Sequence, residues 1–183
     1  MNPSQSYAYR QALAAARGRA TLFIGIGVVL ALVMLLLSSE FVTLHCIILA
    51  ALTLAAALSC AWAALPILPA SARRAGLVGG TTSAIAYVLP FVALFLYRIF
   101  TLDTAMASRM AGEMSAAQTT SLMQQGIMPG VEYFRGQFLS YAVGYLLFGL
   151  AFGAVFGFLG GVLARRTGST NESTNETTNG STN

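Results

Sequence analysis

The sequence predicts an all-α integral membrane protein: a four-transmembrane-helix bundle, an external amphipathic helix between the third and fourth spans, and a disordered C-terminal tail. Three observations lead there. Of 183 residues, 56% are hydrophobic and only 9% are charged, against about 25% charged in an ordinary soluble domain. The apolar residues gather into four runs, 20–37, 41–65, 76–97 and 138–164, each close to the roughly 20 residues that cross a bilayer as a helix. The runs are continuous, unlike the alternating segments of a membrane barrel. In lipid every backbone N–H and C=O needs a partner inside the protein, which makes such a run a helix. This composition excludes a typical cytosolic enzyme and a nucleic-acid-binding domain.

The elements follow in chain order. Residues 1–19 form an Ala-rich leader with Arg10, Arg17 and Arg19, expected to lie on the inner membrane surface or to run into the first span. The run 20–37 is longer than the core of a secretory signal and ends in Leu37-Ser38-Ser39-Glu40, with no clean small-x-small site. It is read as an uncleaved anchor. Ser38, Ser39 and Glu40 then turn the chain, so the first two spans are antiparallel neighbours. The run 41–65 stops before Pro66, since proline lacks the N–H and disfavours helix at the preceding residue. Trp62 suits one membrane interface, and Tyr97 and Phe100 suit the other. The run 76–97 is interrupted by Pro90.

The external segment 98–137 is too long for a structureless connection. Within it Leu102, Met106, Met110 and Met114 recur every four residues, the spacing of one helix face. Gly126, Pro129 and Gly130 end that helix. The last span closes the 20–166 membrane domain, and 167–183 is the tail. From Ser169 it repeats STNE, STNE, TTNG and STN with no apolar residue, so nothing offsets its ordering entropy. Its sequons at Asn171, Asn175 and Asn179 are put down to composition, because the tail is expected inside the cell.

All ten cations are arginine, and the net charge is +4. If four helices cross, Arg10, Arg17, Arg19, Arg73, Arg74, Arg165 and Arg166 fall on one side. The other side holds Arg98, Arg109 and Arg135, offset by Asp103, Glu113 and Glu132. The positive-inside rule places both termini in the cytoplasm. The all-Arg usage and the lack of a eukaryotic targeting signal point to a bacterial plasma membrane.

The strongest packing signal is in the last span, where Gly149, Gly153, Gly157 and Gly161 keep an unbroken four-residue spacing. Gly76, Gly80 and Ala84 offer small residues on the third span. Lipid gives helices no hydrophobic drive to associate, so close backbone approach over small residues must supply it. The ridge is expected to pack within the bundle or against another chain. His45 is an intramembrane histidine, for which ligation of a cofactor and a structural hydrogen bond are both open. Met106, Met110 and Met114 are soft thioethers that suit Cu(I), but methionine also fills gaps in apolar packing, and no nearby His or Cys sharpens a metal site. Cys46 and Cys60 lie about 21 Å apart along one helix, too far for a disulfide. Glu132 and Arg135 read as a surface ion pair.

No catalytic set and no phosphate-binding loop occurs, so neither an enzyme nor a resident cofactor or metal is expected. The expected function is that of a small accessory or structural subunit docking on a larger membrane complex. Its partners are then the lipid bilayer and a membrane protein or a second copy, with no nucleic acid. The alternative is a small oligomeric channel or transporter, for Cu(I) through the methionine row or for a neutral solute. An enzyme or cofactor carrier built on His45 is the third reading.

Overall fold

The structure, a computed structural model, describes residues 3–36 and 42–179, with side chains at 4–36 and 43–168. The described residues form six α-helices and no strand: α1 (Pro3–Leu36), α2 (Val42–Ala64), α3 (Ala72–Thr101), α4 (Thr104–Glu113), α5 (Ala116–Gln124) and α6 (Val131–Asn179). Four stretches, Ser4–Leu36, Thr43–Ala64, Pro69–Thr101 and Val131–Gly168, are long and apolar enough to cross a membrane.

The helices begin and end for local reasons. Of the two arrangements expected for the leader, it takes the one in which it runs into the first span as one helix, because nothing between Ser4 and Leu36 breaks the backbone hydrogen-bond ladder. The expected turn at Ser38–Glu40 lies outside the described residues. α2 stops two residues before Pro66, and a single 3-10 turn, Pro69–Ser71, leads into α3. The Ser71 hydroxyl donates to the Leu68 carbonyl at 2.8 Å, and α3 starts at Ala72, ahead of the expected 76. α3 runs through Pro90.

The segment between α3 and α6 holds two helices, not the single one expected. α4 is capped by the Asp103 carboxylate, which accepts from the Met106 N–H at 2.7 Å. It ends at Met114, whose backbone turns extended. Ser115 then opens α5 with a capping box: its hydroxyl accepts from the Gln118 N–H, and the Gln118 side chain accepts from the Ser115 N–H. Two helix-end donors are satisfied there at once, so the chain gains more by restarting than by continuing. At the far end Gly126 takes a φ of +72°. The N–H of Ile127 reaches the Leu122 carbonyl at 2.9 Å and that of Gly126 reaches Met123 at 3.0 Å, the paired bonds of a Schellman motif.

The backbone of α6 continues to Asn179. No proline follows Arg166 to break the helix.

The chain divides into two compact units, Met1–Val88 with Phe148–Asn183, and Leu89–Leu147. α3 and α6 contribute to both. The first unit has a core of very small side chains: Ala12, Ala16 and Ala20 of α1, Cys60 and Ala64 of α2, and Ala75 of α3. Ala16 and Gly27 of α1 meet Cys60 and Leu52 of α2, respectively, so these two helices run antiparallel. The second unit is built on Leu102, Ala107, Phe134 and Phe138, with Phe95, Ile99 and Tyr133 packed around them.

Candidate functional site

The glycines of α6 lie against the backbone of α3. A Cβ at Gly153 would sit 2.7 Å from the Thr81 Cα, one at Gly157 would sit 2.9 Å from the Leu77 Cα, and one at Gly161 would sit 2.7 Å from the Arg73 Cα. Gly149 faces the Val88 side chain at 2.7 Å. The fit is reciprocal, because a Cβ at Gly76 or Gly80 would meet the Gly157 or Gly153 carbonyl at 2.6 and 2.7 Å. Each helix has a second glycine contact on α2. Gly79 looks onto Ala56 and Cys60, and Gly160 looks onto Ala57 and Leu58. Residues four apart advance about 400° on a helix, so Gly149, Gly153, Gly157 and Gly161 form one strip, with Gly160 beside it.

Other glycines, on α1 and α6, face open space among the described residues. A Cβ at Gly18 or Gly25 of α1, or at Gly136 or Gly144 of α6, would meet nothing within 4 Å.

Three arginines of the first unit, Arg19, Arg73 and Arg74, have aromatic or hydroxyl partners. Arg74 donates to the Tyr9 hydroxyl at 3.0 Å and lies over its ring. Arg73 lies over Phe158 at 5.6 Å, and Arg19 donates to Ser59. Trp62 donates from its indole to the Thr167 hydroxyl at 3.2 Å.

The polar residues singled out in the sequence are placed as follows. His45 is buried in α2 at 7% exposure, and Thr53 and Ser83 are fully buried in α2 and α3. Thr53 donates to the Leu49 carbonyl within its own helix. Both thiols are free, Cys46 half-buried and Cys60 buried, with the Cys60 Sγ 3.3 Å from the Ala16 carbonyl. The methionine row is not one ridge. Met106 is exposed on α4, whereas Met110 and Met114 pack on the Phe134 and Phe138 cluster, and Met114 has already left the helix. Met123 and Met128 are exposed. No group of three His, Cys, Asp or Glu side chains placed to hold a metal occurs among the described residues. Arg135 pairs with Glu132 at 3.2 Å.

Sequence reasoning missed a cleft in the second unit. It is an open groove of about 450 Å³ between α5 and the first two turns of α6. Met114, Leu122 and Phe134 supply its apolar wall, and Gln118, Ser121 and Gln137 supply polar atoms. Tyr133 lies at one side, edge-on to Phe134 with ring centroids 5.1 Å apart. The one local signal was the Ser115-x-x-Gln118 capping box, which places Gln118 at the start of a new helix. The approach of α5 to α6 depends on the tertiary fold.

Four helices long and apolar enough to span a bilayer, in a chain whose described residues form no strand, fit a multi-pass membrane helical bundle. No protein family model, curated protein or solved structure matches the chain.

Proposed function

We propose that this chain is a non-enzymatic accessory subunit of a larger membrane complex, seated in a bacterial plasma membrane with both termini in the cytoplasm. The orientation rests on the arginines. Arg10, Arg17 and Arg19 precede the first apolar run, Arg73 and Arg74 open α3, and Arg165 and Arg166 follow the last apolar run. A reporter active only in the cytoplasm, fused after Arg166, is expected to work. Activity of a periplasmic reporter at that point overturns the orientation.

The observation that carries the accessory role is the contrast between filled and open glycines. A glycine inside a helix costs about 1 kcal/mol relative to alanine. On α3 and α6 that cost coincides with a neighbouring backbone lying in the groove. Gly25 of α1 and Gly144 of α6 carry the same cost with nothing against them among the described residues. A partner helix lying over each of them accounts for that cost.

Purification in mild detergent with quantitative mass spectrometry tests the role. A membrane protein at fixed stoichiometry is expected with the wild-type chain and lost from Gly25→Leu or Gly144→Leu, both of which retain the wild-type melting temperature. Recovery of the chain only as a homo-oligomer overturns the accessory role and favours a channel. Retention of the partner by both variants removes the glycine argument.

A further inference from the structure

We propose that the cleft between α5 and the start of α6 is a binding site for an uncharged amphiphile, with a head bearing hydroxyl or amide groups and an apolar chain. The hydrogen-bond accounting of its polar lining carries this inference. Gln118, a lining residue, spends its Oε1 on the Ser115 N–H at 3.1 Å, which leaves the two N–H donors of its Nε2 for a guest. Gln137 donates from Nε2 to the Tyr141 hydroxyl at 3.1 Å, leaving its Oε1 as an acceptor. The Ser121 hydroxyl receives only a long bond of 3.5 Å from Gln125 and keeps its own proton to donate. The cleft therefore presents both donors and acceptors, as a neutral hydroxylated head requires.

Charge is missing from the lining. None of the eight lining residues is ionisable at neutral pH as an acid or a base. The neighbouring Arg135 is engaged by Glu132. A charged head entering this cleft would give up hydration without gaining a counter-ion. The apolar part of the lining, Met114, Leu122 and the 3%-exposed Phe134, suits a chain of a few methylenes, and methionine adapts its shape to such a guest.

The position explains how an amphiphile arrives. Tyr133, Phe134 and Gln137 lie in the residues just before the uncharged apolar run 138–164. At the start of a membrane span these residues sit at headgroup depth. The head can come from a membrane glycolipid or from a free monoacyl compound, since the cleft reads the same chemistry in both.

The probe is monooctanoylglycerol carrying a diazirine on its chain, added to the full-length protein in phosphatidylcholine nanodiscs. Photolabelling is expected in the peptides holding residues 114–122 and 133–137. Excess unlabelled monooctanoylglycerol should compete, whereas octanoate and octylamine should not. Doping the nanodisc with a glycosyl diacylglycerol distinguishes the sources: competition assigns the site to a lipid headgroup, and its absence assigns it to a free amphiphile. Ser121→Ala with Gln137→Leu is expected to lower labelling about tenfold, while Ser140→Ala, outside the cleft, leaves it unchanged. Gln118→Glu keeps the capping acceptor and places a carboxylate near a helix start, where it is tolerated. That variant should let octylamine compete. Labelling spread evenly over the spans, equal competition by charged octyl compounds, or wild-type behaviour of the Gln118→Glu variant would each overturn the site.

Discussion

α3 and α6 take part in both units of the chain but pack there by opposite means. In the first unit they touch backbone to backbone, with Gly76 and Gly80 set among Gly153, Gly157 and Gly161. In the second unit they touch ring to ring. Phe91 stacks on Tyr145 at 5.5 Å, and Phe95 meets Phe138, Tyr141 and Tyr145 at 5.6–6.4 Å. Arg98 lies over Phe138 at 5.8 Å. Neither contact relies on removing apolar surface from water inside a bilayer, so each depends on direct packing. The two solutions differ in tolerance. A backbone contact leaves no volume for a side chain, whereas a ring cluster adjusts by small rotations. The cleft occurs in the ring-packed unit, where the spacing between elements is set by side chains and gaps of a ligand's size can persist.

The sharpest way to break this comparison is Gly157→Leu. Its side chain would be forced onto the Leu77 Cα and the Gly76 carbonyl, and no neighbouring side chain can move to relieve it. The expected loss is more than about 4 kcal/mol, seen as failure to recover a folded monomer by fluorescence-detected gel filtration. Wild-type melting would mean that the helices separate at little cost and that the backbone contact does not hold the first unit.

Phe95→Ala should be next in size, about 3 kcal/mol from lost burial and ring contacts. Hydrogen exchange should show faster exchange in residues 89–147 and unchanged protection in α1 and α2. Equal loss of protection in α1 and α2 would show that the two packing modes stand or fall together. Gly126→Ala is expected to cost least, about 1 kcal/mol, because alanine is disfavoured at a φ of +72°. A lowered melting temperature of a few degrees is the check; a raised one would mean that the turn adopts another conformation.

The coarse fold was legible because apolar run length is a direct physical requirement of a bilayer. The stop of α2 before Pro66 was legible for an equally local reason, the missing proline N–H. The break between α4 and α5 was obscured by competing signals. The four-residue apolar spacing carries the helix pattern up to Met114, while the Ser115–Gln118 capping box says that a new helix begins; the structure follows the cap. The glycine spacing of α6 was visible as a pattern, but a one-dimensional repeat does not say which helix lies in the groove. The cleft was not legible, because Gln118 and Gln137 are ordinary surface residues until the fold brings their helices together.

The glycine strip also has a consequence in time. The chain emerges from the ribosome α1 first and α6 last. Gly79 can settle on Ala56 and Cys60 as soon as α3 follows α2 into the membrane. Gly76 and Gly80, one step around the same helix, must wait until residues 153–161 have been synthesised and inserted. During that interval a bare backbone groove on α3 faces lipid and any passing small-residue helix. Completion of the bundle is therefore a late event, and the half-made chain presents a ready handle for the factors that retain or degrade unassembled membrane proteins.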